Sequence, residues 1–358
     1  MRDIVVVGAG PAGSRLARGF AEREHDVLVL ERGEVGVPLA CSGHVSGDVW
    51  EFLPDGAREE LVGNEIRGAR FHVGDSSYEF YKDGTVSYAI DRVGMDRTLA
   101  DEARDAGAEL MTDTPVVAVE EKDDGVTIET DAGENYETKL VAGCDGPRST
   151  VREELGLDAP DELLQGVLGF ADEGGEANTA DLVDVYLDVP DFFGWRIPRG
   201  DCVEYGAASS GSPRKELESV ADIDMESFDR LCAGQIPIGP PLRTTTDRAF
   251  LVGDAAGQTK PFTGGGIVYG MTAADVATTF VNPNSPGSLG VYERGWRDEL
   301  GREISLGHKI RRLYGLPRPI QRAGMGALQG EINVHMDRPT TLFNRATARR
   351  VLKNVFGV

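Results

Sequence analysis

Hydrophobic positions along this chain follow two patterns, the short unbroken run and the strict alternation. Ile4-Val5-Val6-Val7 and Val27-Leu28-Val29-Leu30 are unbroken runs of the kind that form parallel strands buried on both faces. Phe250-Leu251-Val252 is a third. Residues 14–24 read as a helix between the first two runs, and residues 91–106, 271–280 and 289–311 read as further helices. Residues 116–119 and 126–130 read as a hairpin, with Asp123-Asp124-Gly125 at its turn. Elsewhere the pattern alternates, as in Ala69-Arg70-Phe71-His72-Val73 and Val183-Asp184-Val185-Tyr186-Leu187. Alternation of this kind predicts antiparallel strands with one buried face over residues 67–88 and 163–208. Residues 282–288, rich in Pro, Asn, Ser and Gly, mark a loop. The fold class expected is α/β. It has a discontinuous Rossmann-like unit from residues 1–66, 89–160 and 240–285, and an inserted antiparallel-sheet unit from 67–88 and 161–239. A helical region over 286–358 follows.

Glycines sit where the runs meet the helices. Gly8, Gly10, Ala12 and Gly13 follow the first run directly. Gly8 serves the tight turn, Gly10 lets backbone approach a pyrophosphate, and Gly13 lets helix pack against strand. Glu31 ends the second run about 20 residues on, where a carboxylate accepts hydrogen bonds from ribose hydroxyls. Gly253 and Asp254 follow the third run, with Asp254 placed to bond a ribityl hydroxyl. Gly264, Gly265, Gly266 and Ile267 then open a helix whose free amides suit a pyrophosphate or the pyrimidine edge of a flavin. The two segments together point to FAD and to redox chemistry.

These segments resemble the FAD-dependent geranylgeranyl reductase family, within the larger group of aromatic-hydroxylase-type flavoproteins. The segment Cys144-Asp145-Gly146-Pro147-Arg148-Ser149 is similar to that group's Asp-Gly motif, which implies that Asp145 contacts FAD. Ile90-Asp91-Arg92 is similar to the family's arginine at a helix start, which implies that Arg92 faces the pyrophosphate. Val117 matches a position bordering the adenine. Pro38-Leu39-Ala40-Cys41-Ser42-Gly43 resembles the segment whose cysteine sits beside the flavin ring, with Ser42 where a glycine is common. The resemblance makes Cys41 the leading catalytic candidate and places Ser42 and Gly43 at the cofactor. Phe192-Phe193-Gly194-Trp195-Arg196-Ile197-Pro198 resembles the family's lipid-lining aromatic segment, which implies a substrate wall of Phe192, Phe193, Trp195 and Ile197. The activity implied is hydrogenation of C=C bonds in geranylgeranyl chains of archaeal membrane lipids or their precursors, with an isoprenoid lipid as substrate. A menaquinone side-chain reductase and an aromatic hydroxylase fit the same residues. The electron donor, ferredoxin or NAD(P)H, is left open by the absence of a second nicotinamide fingerprint.

Composition narrows the setting. Four widely spaced cysteines without a C-x-x-C pair argue against a disulfide framework or structural zinc, and five scattered histidines make a metal site unexpected. The net charge of −23, with sixty acids and only 37 Lys plus Arg, disfavours nucleic acid as a partner. Seven lysines against thirty arginines resemble the surface of a halophilic archaeal protein. Residues 302–358 reverse the balance, with eleven Arg and Lys against three acids. Arg311, Arg312, Arg318 and Arg322 alternate there with Leu313, Leu316 and Ile320, and Arg349, Arg350 and Lys353 lie beside Val351 and Leu352. Such stretches suit either an anionic bilayer or the acidic body of the same chain. No apolar stretch reaches the ~20 residues of a membrane span. The expectation is a cytoplasmic protein with peripheral contact at the inner face of the membrane.

Overall fold

A computed structural model describes residues 1–39, 41–221, 225–331 and 335–342. The expected cofactor unit is a seven-stranded sheet. Its spatial order is Glu109–Met111, Val27–Leu30, Arg2–Val7, Asn135–Gly143, Val126–Thr130 and Val116–Glu121, and Ala249–Leu251 also pairs with Asn135–Gly143. The unbroken runs form its parallel centre: Val5 pairs with Leu28 on one side and Val141 on the other. The hairpin forms with its turn at residues 122–125, Val126 opposite Glu121. One face packs on helices Pro11–Ala21, Ile267–Phe280 and Leu289–Arg311 through Phe20, Tyr292 and Trp296, all fully buried.

The first helix starts three residues earlier than predicted, because Pro11 occupies its first turn, where the missing N–H costs nothing. It also ends earlier, at Ala21, and Glu24 takes a left-handed φ of +63°. Asp91 caps the Arg92–Asp105 helix, accepting from the amides of Val93 and Gly94 at 3.1 and 3.0 Å.

The inserted unit is an eight-stranded sheet: Arg230–Ile238, Glu162–Ala171, Val203–Ser209, Phe193–Pro198, Leu182–Tyr186, Gly68–Val73, Ser76–Tyr81 and Gly330–Glu331. It departs from a purely antiparallel arrangement in two places: at the joint between the two insertions, where Leu182–Tyr186 runs parallel to Gly68–Val73, and at its edge, where Gly330–Glu331 runs parallel to Ser76–Tyr81. Two strands that arrive from separate excursions need not meet as a hairpin, so neither direction is imposed by a turn. His44–Ser46, Val62–Ile66 and Ser87–Ile90 form a small third sheet between the two units. Among the described residues no helix is long and apolar enough to cross a membrane. Arg349, Arg350 and Lys353 lie outside the described residues.

Candidate active site

One cavity of about 1530 Å³ runs between the two sheets, and its two walls differ in chemistry. The first wall is built by turns that follow the parallel strands. Gly10, Ala12, Cys41, Ser42, Arg92, Gly253, Asp254, Gly265, Gly266 and Ile267 all line it.

Backbone proximity dictates the glycines behind this wall. A Cβ on Gly13 would stand 1.9 Å from the Gly8 carbonyl oxygen, and one on Gly8, at φ +99°, 2.5 Å from the Cys144 carbonyl oxygen. Gly10 differs: a Cβ there meets nothing within 4 Å and would project into open space. The Gly10 and Gly266 ends of their helices carry no side-chain cap, so first-turn amides are free for an anion. Arg92 is buried against the same space and forms an ion pair with Asp96. Its Nη1 makes that pair, and its Nε lacks a hydrogen-bond partner. A buried guanidinium with a spare Nε donor beside free helix amides is what a pyrophosphate completes. The wall therefore fits FAD, with Arg92, the amides after Gly10 and those after Gly266 as its holders.

Asp254 also lines this wall; desolvation pushes its carboxyl up to about 6, against the pull of Arg92. Cys41 Sγ accepts from the Gly43 amide at 3.5 Å and lies within reach of the Arg92 guanidinium.

Six predicted residues are not part of the cavity lining: Gly8, Gly13 and Gly43 belong to the turns behind it, and Glu31, Asp145 and Val117 point elsewhere. Glu31 turns back to its own motif, accepting from the Ala9 amide at 2.6 Å and the Gly33 amide at 3.3 Å, and so braces the glycine turn. Asp145 accepts from Ser149 Oγ at 2.6 Å and the Val151 amide at 3.1 Å, so its carboxylate is spent on the helix that follows. Asp145 thus organises the Asp-Gly segment, whose neighbours Cys144 and Gly146 reach the cavity instead. Val117 is 47 % exposed on the edge hairpin, remote from the core packing of that sheet.

The second wall is apolar and belongs to the inserted sheet. Phe192, Phe193, Trp195 and Ile197 all line it. Phe192 and Phe193 stack at 4.4 Å, and Phe193 meets Trp195 and Tyr314 edge-on at 6.0 and 6.1 Å. Leu313, Tyr314, Leu316 and Ile320 from the C-terminal region complete the wall. Leu313, Leu316 and Ile320 are also 54, 37 and 55 % exposed, so they form an apolar rim where the cavity meets the surface. Beside them, Arg311 holds Glu162 at 2.7 and 2.9 Å, and Arg318 holds Asp188 at 2.8 Å. Arg322 donates to the Val73 carbonyl at 3.2 Å. Part of the basic stretch thus serves the chain's own body.

A small polar island interrupts the cavity, and residue spacing alone did not reveal it. Lys260 and Asp337 form a buried ion pair, Ser46 donates to the same carboxylate, and the Asp337 carbonyl accepts from Tyr269 at 2.8 Å. His44 bonds Ser87 Oγ at 2.8 Å; burial, then the charges of Lys260 and Arg199, lower its pKa to about 4. His44 is therefore neutral at pH 7 and no source of an imidazolium proton. Asp48, His335 and Asp337 bring ligand atoms within 4.8 Å of one another, but Arg338 engages Asp48 and Lys260 engages Asp337.

Comparison with known proteins agrees with this geometry. Residues 1–184 match the FAD binding domain family. The chain is 30% identical over 340 residues to digeranylgeranylglycerophospholipid reductase 1 of Methanothermobacter thermautotrophicus, covering 86% of this chain and 85% of that one. It is 31% identical over 334 residues to the digeranylgeranylglycerophospholipid reductase of Methanothrix thermoacetophila, covering 85% of each. Among solved structures, a geranylgeranyl bacteriochlorophyll reductase-like protein from Thermoplasma acidophilum superposes with a TM-score of 0.83 at 22% identity, over 99% of this chain and 98% of that one. A probable FAD-dependent monooxygenase from Pseudomonas aeruginosa shares the fold with a TM-score of 0.68 at 17% identity, over 90% of this chain and 99% of that one.

Proposed function

Because the chain belongs to the family of FAD-dependent digeranylgeranylglycerophospholipid reductases, we propose that it hydrogenates C=C bonds in the geranylgeranyl chains of an archaeal-type phospholipid or its precursor. One observation carries the reading. A single cavity has an anion-holding glycine wall on one side and an aromatic, apolar wall on the other. A prenyl chain is long, flexible and without polar handles. Only an apolar channel can hold one of its double bonds still against a redox cofactor, and exclude the water that would otherwise compete.

Bound FAD, once reduced, supplies the hydride equivalent. The chain's own residues supply the rest. Phe193 and Trp195 present flat faces that restrict how the alkene lies, and Phe192 and Ile197 close the space behind them. Cys41, held by the Gly43 amide beside Arg92, is the residue proposed to tune the cofactor or to pass a proton. The apolar rim of Leu313, Leu316 and Ile320 supports a further reading, that the chain enters from a bilayer on which this edge rests.

The test is mass spectrometry of a geranylgeranylated phospholipid after anaerobic incubation with the dithionite-reduced, FAD-loaded protein. Mass gains in steps of two hydrogens are expected. No gain, from protein whose flavin reduces and reoxidises normally, overturns the substrate assignment.

A further inference from the structure

The two walls are joined by one chain of polar contacts. Trp195, on the substrate wall, donates its indole N–H to Glu204 Oε1 at 2.8 Å. Glu204 is fully buried, and its Oε2 meets Arg199 Nη1 at 3.0 Å. Arg199 then leaves the inserted sheet. Its Nη1 donates to the Ser42 carbonyl, and its Nη2 to the Ile90 carbonyl at 2.5 Å. Ser42 follows Cys41, and Ile90 stands two residues before Arg92, so both acceptors belong to the backbone that carries the cofactor-facing side chains.

The acceptors are themselves tied together. The Ile90 amide donates to the Gly43 carbonyl at 3.0 Å. Gly43 has φ +64°, and a Cβ on it would lie 2.8 Å from the Ile90 carbonyl oxygen and 3.2 Å from Arg92 Cβ. There is no spare room between these segments. A planar guanidinium can reach two carbonyls and a carboxylate at once, which a lysine cannot.

We propose that Arg199 and Glu204 act as a clip between the units, positioning the Cys41–Gly43 segment and Arg92 against the Trp195 wall. Both are positioning residues, acting through Ser42, Ile90 and Trp195. The assignment rests on the reading that the Cys41 segment faces the flavin.

The physical case turns on cost. A fully buried carboxylate is expensive, and a buried ion pair is a weak source of stability compared with apolar packing. What this pair provides is direction: it fixes a distance between a substrate-contacting indole and a cofactor-contacting loop that belong to different sheets. The strain on Glu204 shows in its acidity, since burial pushes its carboxyl up to about 7 although Arg199, Trp195 and Arg230 favour the charged form.

The test is alkylation of the FAD-loaded protein by iodoacetamide at pH 8, with the rate at each cysteine read by peptide mass spectrometry. Glu204→Gln keeps the shape but removes the charge. Arg199→Lys keeps the charge but loses the fork, and it carries the test if Glu204→Gln does not fold. In either variant Cys41 is expected to react about tenfold faster, the scale of one hydrogen bond to a charged group. Cys144, on the same cavity but not held by the clip, keeps its rate. An unchanged Cys41 rate in both folded variants overturns the clip, and so does a parallel rise at all four cysteines, which signals general loosening. The wild type, measured with and without added FAD, separates the two readings. If FAD gives Cys41 no protection, the flavin-facing assignment fails, whatever the variants show.

Discussion

The glycine wall and the aromatic wall enclose the same space but are built on opposite principles. On the first, backbone meets backbone: Gly13 packs on the Gly8 carbonyl, Gly8 on Cys144, and what faces the cavity is free amides and one arginine with a spare donor. On the second, side chains do everything, and Phe192, Phe193 and Trp195 lean on each other and on Tyr314 from more than a hundred residues away. A backbone wall is intolerant of any added atom but indifferent to most neighbours. A side-chain wall accepts substitution and changes what it selects. Rigid cofactor and flexible lipid are each met by the suitable construction.

Four changes would break or sharpen that contrast. The largest effect belongs to Gly13→Ala, whose Cβ would force the first helix off the Gly8 carbonyl. A loss of about 3 kcal/mol and of retained FAD is expected, read by thermal unfolding and by flavin absorbance. Next, the double variant Arg92→Met, Asp96→Asn removes the buried guanidinium without stranding its partner. Its FAD affinity should fall by roughly ten- to a hundredfold in a fluorescence titration.

Phe193→Ala should act on the other wall alone. About a tenfold drop in kcat/KM on the prenyl substrate, at unchanged FAD affinity, is expected; a matching fall in FAD affinity would erase the division between walls. Glu204→Gln probes the seam. The carboxyl of Glu204, raised to about 7 in the folded chain from an ordinary 4.5, binds its proton more tightly when folded. Its contribution to stability is therefore present below about pH 4.5 and lost as pH rises towards 7, a span of about 3 kcal/mol. The groups that act on it are Arg199, Arg230 and Trp195. The stability of wild type relative to Glu204→Gln, measured by denaturant titration, should decline over that window. A flat difference would show that Glu204 is not buried as described.

The same contrast explains what the sequence disclosed. The parallel runs, the hairpin, the glycine turns and the helix opened by Gly264 to Gly266 are local, because each constraint acts within a few residues. The aromatic segment was legible as a linear stretch for the same reason. Lys260 with Asp337 and Arg199 with Ser42 were not, since they join positions 77 and 157 residues apart and leave no periodic trace. Asp145 and Glu31 were found as residues, but their bonds to protein amides were not foreseen. A carboxylate beside a turn reads equally well as a ligand for a cofactor or as a brace for backbone amides, and here the amides of Val151 and Ala9 claim them. The parallel joint between Leu182–Tyr186 and Gly68–Val73 was hidden too, because alternation specifies a face and not a direction.

The strand Ala249–Leu251 has a consequence for biosynthesis. It lies against Asn135–Gly143 in the middle of the nucleotide-facing sheet, and the helix that follows it packs across the Pro11–Ala21 helix. The chain therefore visits the other sheet twice before returning to close the first. During vectorial synthesis on a ribosome, the N-terminal dinucleotide turn emerges early but lacks its opposing half until residues beyond 280 have left the exit tunnel. The cavity wall drawn from Gly10 and from Gly253 to Ile267 is therefore complete only once residue 267 has been made.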